Sequence, residues 1–344
     1  MILQPSSLDD LRRQLAGAQA TEGQVTGFRL DALNRVIEYT PEDMTITVEA
    51  GMTLAALQKK LSEHGQWLPL DPPHPERATL GAILAANRSG PRRYGYGTIR
   101  DYLIGMRVAL ADGAVIKSGG RVVKNVAGFD LCKLLIGSHG TLGVIVEATF
   151  KVRPLPEVER FLGSHCDSLA QAESLLTLTL NSDVTPVVLD LHNLVKNGAQ
   201  AADSFSLVIG FDGMREDVDW QVTEVEKLGS CGPSDLEHHA RFHDGESKEP
   251  IHRCAVLPTR LGDFIRGLGK VAFVARAGNG GVAYRGGPPP PVHELPVALM
   301  RRVKDTCDPK HLFVIPGVSE KFPLGMTGDK NASPSAGGDS SLPS

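Results

Sequence analysis

The chain has 344 residues and a mass of 36.8 kDa, enough for one large domain or two ordinary ones. Hydrophobic residues make up 41% and charged residues 22%, a composition typical of globular proteins and not of disordered or fibrous ones. With 36 basic and 40 acidic residues the formal net charge is −4. No sequence-wide basic field therefore favours binding to nucleic acid or to an anionic membrane.

Targeting and redox features of the sequence point to the cytoplasm. No apolar run approaches the roughly 20 residues of a membrane-spanning helix, and the first residues lack the basic and apolar regions of a signal peptide. The five cysteines form no Cys-x-x-Cys pair; they are Cys132, Cys166, Cys231, Cys254 and Cys307. We therefore expect reduced thiols in a cytoplasmic protein, and no zinc ribbon or iron–sulfur cluster held by this chain alone.

The first half of the chain alternates predicted strands and helices. Ser7 precedes a helix that carries Leu8, Leu11 and Leu15 on one face. In chain order there follow predicted strands over 36–39 and 46–50, a helix from Thr53 to Gly65, a small-residue helix over 78–87, an Asp112-Gly113 hairpin and a strand over 144–152.

The second half mixes strands and helices in a less regular order. Strands are predicted over 206–211 and 271–274, and helices over 216–228 and 259–268. This pattern indicates an α+β region with its own core. Arg-Pro-Leu-Pro at 153–156 and the four prolines at 288–291 mark candidate boundaries.

The glycine-rich segment 137–143 is the best candidate for holding a phosphate. Gly137, Gly140 and Gly143 allow positive φ and let backbone N–H groups approach an anion. The segment lies between a helix and a strand with G-x-x-G-x-x-G spacing, whereas a Rossmann fingerprint needs G-x-G-x-x-G between a strand and a helix. The same glycines are also typical of a connector that binds nothing, so both interpretations stay open.

Two further segments suit an anionic ligand. Thr79 and Gly81 begin the small-residue helix, where a hydroxyl and exposed N–H groups favour an anion, although an ordinary N-cap has the same pattern. Residues 87–101 carry arginines and tyrosines between glycines, which suits clamping a pyrophosphate and stacking on a ring. A solvated basic loop has the same composition, and the acidic chain disfavours single-stranded nucleic acid as the ligand.

The remaining polar motifs are ambiguous. His239 and His243 have the spacing of a metal-binding pair, but Arg241 and the polar neighbours indicate a solvated face, so no metal site is predicted. Asp130 is typical of the N-cap of the helix before Gly137. Arg276 begins a second glycine-rich turn, which faces a ligand or only makes a bend. The sequence contains no G-x-S-x-G, H-E-x-x-H or P-loop motif.

Taken together in order and spacing, these motifs resemble the FAD-binding domain of the vanillyl-alcohol-oxidase type. The matching segments are Thr79-Leu80-Gly81, Ser89-Gly90, Tyr96 to Asp101, Ala111-Asp112-Gly113, Lys124 to Asp130, Gly137 to Ile145 and Arg153-Pro154. Within this family the chain is most similar to the E subunit branch of the glycolate oxidases, of which Asp71-Pro72-Pro73 and the Lys-Asn-Val-Ala-Gly-Phe-Asp segment are typical. The similarity is dense over 34–154 and returns over 303–317.

The resemblance implies an α+β fold in which two subdomains hold FAD and an α+β cap domain follows. We expect an FAD-binding domain over 1–154 with a shortened first βαβ unit, a cap domain over 155–292, a C-terminal segment over 293–320 that returns to the FAD-binding domain, and a disordered tail over 321–344. The cofactor-binding residues that it implies are Thr79, Gly81, Ser89, Gly90, Arg100, Asp101, Gly137, Gly140, Thr141, Leu142, Gly143, Val144 and Ile145.

Two departures from the family pattern bear on activity. The family's Gly-Gly-Gly-Thr loop is missing from the interval 18–28, and with it the backbone groups that normally hold the FAD diphosphate. Arg276 stands where the sister catalytic subunits have a histidine. A guanidinium cannot accept a proton, although it can bind the carboxylate of a substrate. The catalytic residues are therefore unknown from the sequence.

By resemblance, the chain is an FAD-dependent oxidoreductase subunit of a complex that oxidises glycolate or another small 2-hydroxy acid. The implied partners are a second flavoprotein subunit and an iron–sulfur subunit that exchanges electrons with the flavin. We expect no nucleic-acid partner, and membrane association only as a peripheral contact through the partners. The missing loop favours an alternative, a flavin-free scaffold subunit that only assembles the complex.

Overall fold

The computed structural model describes residues 1–120, 130–195, 201–244, 249–290 and 296–314, with the backbone alone at 201 and 202. Lys124 and Asn125 of the resemblance, and the predicted tail over 321–344, lie outside these residues. In the described ranges, no helix combines the length and the apolar character needed to cross a bilayer.

The first half of the chain alternates strands and helices, as predicted. Its strands are β1 (Ile2–Leu3), β2 (Gly27–Phe28), β3 (Val36–Thr40), β4 (Thr45–Glu49), β5 (Gln66–Trp67), β6 (Leu103–Ala109), β7 (Val115–Gly119), β8 (Val144–Lys151) and β9 (Arg153–Pro154). Its helices are α1 (Leu8–Ala20), α2 (Leu54–Ser62), α3 (Leu80–Ala86), α4 (Arg93–Tyr96), α5 (Ile99–Tyr102) and α6 (Leu131–Leu135).

The second half contains longer strands and the remaining helices. Its strands are β10 (Val158–Cys166), β11 (Val188–Leu194), β12 (Ala201–Gly213), β13 (Gly232–Pro233), β14 (Ile251–Ala255), β15 (Phe273–Arg276) and β16 (Gly281–Arg285). Its helices are α7 (Leu169–Leu180), α8 (Arg215–Leu228), α9 (Glu237–Asp244), α10 (Leu261–Leu268) and α11 (Val297–Cys307), with a 3₁₀ turn at Pro258–Arg260.

Helix starts follow the sequence signals closely. Thr53, Thr79 and Asp130 cap α2, α3 and α6, and each side chain accepts a hydrogen bond from the backbone N–H three residues later. Such a bond satisfies one of the N–H groups that the first turn of a helix leaves without a partner. The cap therefore fixes where each helix begins, and for α3 it fixes one edge of the site described below.

Two antiparallel sheets organise the molecule. The five-stranded sheet has the order β3-β4-β8-β6-β7, and the seven-stranded sheet has the order β13-β10-β12-β11-β15-β16-β14. The five-stranded sheet has a core on each face: a larger one with α2 and α3, and a smaller one with α1. The seven-stranded sheet has its own core, which includes Phe211, Phe273 and Tyr284. The separate cores agree with the predicted α+β organisation.

The N-terminal βαβ unit is short but present. β1 and β2 pair in parallel on either side of α1, with Ile2 opposite Gly27 and Leu3 opposite Phe28. The sequence analysis expects a shortened first βαβ unit, and each of the two strands here has two residues. Beside it, Val25 forms a parallel bridge with Phe313, so the chain after α11 returns to the N-terminal region.

Candidate functional site

A cleft of about 340 Å³ opens between α3, the start of β8 and the segment after β2. We call it the glycine cleft; it is lined by Gly27, Phe28, Arg29, Leu30, Asp31, Thr79, Gly81, Ala82, Ala85, His139, Gly140, Gly143, Val144 and Ile145. Its size falls within the range of about 300–1,000 Å³ that is usual for small-molecule sites. Six of the residues predicted to bind the cofactor meet here: Thr79, Gly81, Gly140, Gly143, Val144 and Ile145.

The first wall of the glycine cleft is α3. Thr79 uses its hydroxyl to cap the helix, because its Oγ1 accepts a hydrogen bond from the Ala82 N–H at 3.3 Å. Gly81 donates its N–H to the Ala50 carbonyl at 2.7 Å. A Cβ on Gly81 would lie 3.1 Å from both the Cβ and the carbonyl oxygen of Ala50. Glycine at this position therefore lets the helix sit directly against the five-stranded sheet.

The second wall is the glycine-rich loop before β8. Its turn depends on positive φ at Gly137, His139 and Gly140. The loop is fastened to the end of α3, since Gly137 donates to the Leu84 carbonyl at 3.0 Å and His139 donates to the Ala85 carbonyl at 2.8 Å. The two glycine-rich motifs, more than 50 residues apart in the sequence, are thus joined by backbone hydrogen bonds.

The third wall is the segment from Gly27 to Asp31, which sequence reasoning treated only as the place of a missing loop. Phe28 faces the glycine loop, and Arg29 and Asp31 also line the cleft. Arg29 is exposed to solvent, and within the described ranges it makes no ion pair. The signal in the sequence was a cation directly after a short apolar strand, in the interval where the family has its diphosphate loop.

The glycine cleft leaves room for an extended ligand between its walls. A Cβ placed on Gly140 would approach the ring of Phe28 to 3.5 Å, so only glycine leaves the full width between the second and third walls. Four glycines and two alanines of the lining let an extended ligand come close to the backbone, while Phe28, Asp31 and His139 contribute larger side chains. Arg29 adds a cation that suits a phosphate.

Seven of the predicted cofactor residues lie outside this lining. Asp101 accepts hydrogen bonds from Thr98 and so caps α5, while Arg100 donates to the Lys133 carbonyl at 2.5 Å. Gly90 packs against Asp71, and the buried Ser89 hydroxyl has no hydrogen-bond partner among the residues that the structure describes. Gly137, Thr141 and Leu142 belong to the glycine loop but line an adjoining pocket toward α11. Their role as cofactor ligands stays a prediction.

Arg92 and Tyr96 of the segment 87–101 contact the seven-stranded sheet, whereas Arg88, Arg93 and Arg100 are exposed. Arg92 pairs with Asp71 at 3.2 Å and with Glu159 of β10 at 2.6 Å. Its guanidinium also lies 5.3 Å from the Trp67 ring. Tyr96 donates to Asp212 of β12 at 2.6 Å. Burial raises the pKa of Asp71 and opposes the effect of Arg92, so this junction brings a carboxyl into a poorly hydrated place.

Arg276 lies in a buried charged network on the seven-stranded sheet. One guanidinium nitrogen forms an ion pair with Asp190 of β11, and the other lies 2.7 Å from the Nδ1 atom of His239. The Asp190 side chain is fully buried and also lies 2.8 Å from the His238 Nε2 atom. Burial disfavours the charge of Asp190, but Arg276 and His238 outweigh it and lower the pKa of the carboxyl. Both terminal nitrogens of Arg276 are thus engaged within the chain.

The predicted solvated face around His239 and His243 is wrong. His238 and His239 are 1% and 7% exposed, because α9 packs against β11 and β15. Burial, and then Arg276, lower the pKa of His239 well below its ordinary value. Burial, and then Arg253, lower the pKa of His243 to about 3. These imidazoles are therefore neutral near pH 7, and among the described residues no cluster suited to a metal ion occurs.

Comparison with known proteins shows which described proteins parts of this chain are similar to. Residues 12–119 match the family model described as an FAD binding domain. The glycolate oxidase subunit GlcD of Bacillus subtilis is 33% identical over 225 residues, which are 63% of this chain and 48% of the relative. The glycolate oxidase subunit GlcE of Escherichia coli is 42% identical over 135 residues, 38% of this chain and 39% of the relative. The matches thus span about half the length of these curated relatives or less.

A third relative and a solved structure extend the comparison. The mitochondrial D-lactate dehydrogenase (cytochrome) of Arabidopsis thaliana is 31% identical over 62% of this chain and 40% of its own length. The structure of alkyldihydroxyacetonephosphate synthase superposes with a TM-score of 0.69 at 19% identity, and covers 91% of this chain and 76% of that one. The latter comparison confirms the predicted α+β fold. The family match over residues 12–119 indicates an FAD binding domain there, with FAD as the cofactor.

Proposed function

We propose that this chain is the FAD-binding subunit of a complex that oxidises glycolate or a related 2-hydroxy acid, and that it holds FAD in the glycine cleft. The observation that carries the proposal is the meeting of three chain segments around that cleft. Two of these segments, at 27–31 and 79–85, lie within the residues that match the FAD binding domain, and the third is the glycine-rich loop before β8. The glycolate oxidase relatives support the substrate class. FAD, when bound, supplies the capacity to take up and pass on electrons.

Each wall of the glycine cleft has a role in this proposal. The loop around Gly140 and the start of α3 offer backbone surface to the dinucleotide, because no side chain blocks their approach. Arg29 supplies the positive charge for the diphosphate that the missing loop would otherwise provide through N–H groups. The short strand before it positions this side chain.

The charged network argues against substrate oxidation by this chain alone. Since Arg276 donates to the His239 Nδ1 atom, the proton of the neutral imidazole is on Nε2, and His239 offers no lone pair as a base. Binding of a substrate carboxylate by Arg276, which the sequence suggested, would compete with the buried Asp190. We therefore assign substrate oxidation to a partner flavoprotein and electron exchange to this subunit.

The partner proteins follow from the same reasoning. The five cysteines are free thiols, and the sequence contains no Cys-x-x-Cys pair, so we assign the iron–sulfur cluster that takes the electrons to another subunit. The names of the relatives, subunits GlcD and GlcE, fit an assembly of several chains. A cytoplasmic complex, attached to a membrane only through its partners, is part of the proposal.

The first experiment is a visible spectrum of the purified chain, followed by denaturation and identification of the released cofactor. We expect FAD at about one equivalent, or its uptake when FAD is titrated into the apoprotein. Anaerobic glycolate should leave the flavin of the isolated chain oxidised and should reduce it only after the partner flavoprotein and iron–sulfur protein are added. A colourless, folded chain that stays apo with FAD and both partners present would refute FAD binding and support the scaffold.

A further inference from the structure

A buried ion pair in the C-terminal segment connects two walls of the glycine cleft. We infer that Lys304 and Asp308 are positioning residues for the cofactor, because they hold the 139–145 wall and the 27–31 wall in their mutual arrangement. This inference rests on the proposed function, since it takes the glycine cleft as the FAD site.

The pair is enclosed and fully hydrogen bonded. The side chains of Lys304 and Asp308 are 2% and 0% exposed. The Lys304 ammonium has three donors, and it finds three acceptors: the Asp308 carboxylate at 2.5 Å, the Thr141 carbonyl at 2.8 Å and the Phe313 carbonyl at 3.0 Å. Charges in such surroundings are tolerated only when every donor is paired, so the geometry of the three acceptors is tightly specified.

The Lys304 side of this ion pair is connected to the glycine-rich loop before β8. Thr141 stands between Gly140, which lines the cleft, and the start of β8. Its side chain is occupied by a 2.7 Å bond to the Ser138 carbonyl within the loop. The bond from Lys304 to the Thr141 carbonyl therefore connects this turn to α11, 163 residues away in the sequence.

The Asp308 side of this ion pair is connected to the 27–31 wall. Asp308 accepts the N–H groups of Leu312 and Phe313, each at 2.8 Å, which folds the chain back after α11. The returning chain forms two backbone bonds with Val25, from Val25 to Leu312 at 2.8 Å and from Val314 to Val25 at 2.9 Å. The Phe313 ring then contacts the Phe28 ring edge-on, with centroids 5.5 Å apart.

Together these contacts form a continuous connection between the 139–145 wall and the 27–31 wall. The Phe313 ring centroid lies 5.7 Å from the Lys304 ammonium, the Phe313 ring contacts Phe28, and Phe28 is the side chain nearest to the free side of Gly140. The ion pair therefore bears on the width of the cleft through these two rings. An apolar pair of similar size would fill the space without specifying the direction of the Thr141 carbonyl. The chain thus uses a buried charge to orient a loop rather than only to pack a helix.

The test measures FAD affinity and apoprotein stability in parallel. We expect Lys304→Met to raise the Kd for FAD at least about tenfold in a chain that is still folded. Asp308→Asn keeps the carbonyl acceptor and should show a smaller increase. Hydrogen exchange of the apoprotein should become faster at both 139–145 and 25–31 while the β11–β15 pair stays protected.

Asn193→Ala provides the matched control. Asn193 is buried in the seven-stranded sheet and connects β11 to the Val271 carbonyl and the Phe273 N–H, both at 2.9 Å. It should lower stability without changing the Kd for FAD. The inference would be overturned if Lys304→Met or Asp308→Asn bound FAD with the same Kd as the parent chain. It would also be overturned if Asn193→Ala raised the Kd for FAD as much as these variants do. If the parent chain binds no FAD, the proposed function itself is refuted. That outcome is distinguishable from both results that would overturn the inference alone.

Discussion

The five-stranded and seven-stranded sheets of this chain use their polar groups in opposite ways. The lining of the glycine cleft includes glycines and alanines beside Phe28, Asp31 and His139, and its exposed Arg29 has no ion-pair partner in the described residues. In the charged network on the seven-stranded sheet, Asp190, Arg276 and the histidines of α9 are buried and paired with one another. Groups that satisfy each other contribute to the fold, whereas an open cleft wall and a charge without an ion-pair partner in the described residues are available to a ligand.

The largest expected effect comes from breaking the charged network. Asp190→Asn removes the charge opposite Arg276 and should lower the free energy of unfolding by about 3–5 kcal/mol, since it leaves a buried guanidinium without its partner. The Kd for FAD should stay unchanged if the two regions act separately. Urea unfolding and an FAD titration of the same variant measure both quantities. Asp203→Asn, in an exposed pair with Lys270, serves as the control and should leave stability unaltered.

Narrowing the glycine cleft should have the next largest effect, and the quantity that it changes most is the Kd for FAD. Gly140 has φ +77°, and a branched side chain there meets the Phe28 ring. Gly140→Val should raise the Kd for FAD about 100-fold and destabilise the chain by about 1–2 kcal/mol from backbone strain.

Gly269→Val also places a branched residue at positive φ, but away from the cleft. Gly269 has φ +69° at the end of α10, and no atom lies within 4 Å of its added Cβ. A titration followed by FAD fluorescence, which distinguishes bound from free FAD, gives the Kd of each variant. Equal losses of FAD affinity in both would show that strain, and not the shape of the cleft, is responsible.

Removing the charge of the cleft should have a smaller effect. Arg29→Gln should raise the Kd for FAD about tenfold, and less at high salt, because the charge–phosphate attraction is screened. Arg13→Gln removes the same charge from the exposed face of α1, where Arg13 pairs with Asp10. It should leave FAD binding unaltered. A salt-independent Kd in the parent chain would contradict the role of Arg29.

The smallest expected effect is a dependence of stability on pH that belongs to the seven-stranded sheet. Burial, and then His238, lower the pKa of His192 to about 3, and His243 is lowered to a similar value. The unfolded chain protonates these imidazoles near their ordinary pKa, so it binds more protons than the folded chain between roughly pH 6.5 and 3.

Stability should therefore fall as the pH is lowered through that window, by about 1 kcal/mol per histidine between pH 7 and 5.5. His192→Gln and His243→Gln should each flatten the profile. Unfolding curves at pH 7.5, 6.5 and 5.5 measure the slope. A slope that both variants retain in full would assign the pH dependence to other groups.

Local features of this protein were determined by the sequence. Thr53, Thr79 and Asp130 cap helices because a side-chain oxygen reaches an N–H three residues away, whatever surrounds the helix. The Asp112-Gly113 turn and the loop at Gly137 and Gly140 follow from positive φ at glycine. These short-range rules also predicted that the two glycine-rich motifs suit a phosphate-bearing cofactor.

The tertiary structure decided which of these features meet. It placed Arg29 in the glycine cleft, paired Arg276 with an aspartate 86 residues away and buried histidines whose neighbours look solvated in the sequence. It also returned Phe313 to Val25 through the Lys304–Asp308 pair. Residue patterns specify which face of a helix or strand is apolar, but the partner of a buried charge depends on sheet order and on contacts between distant segments. Only the folded chain establishes those contacts.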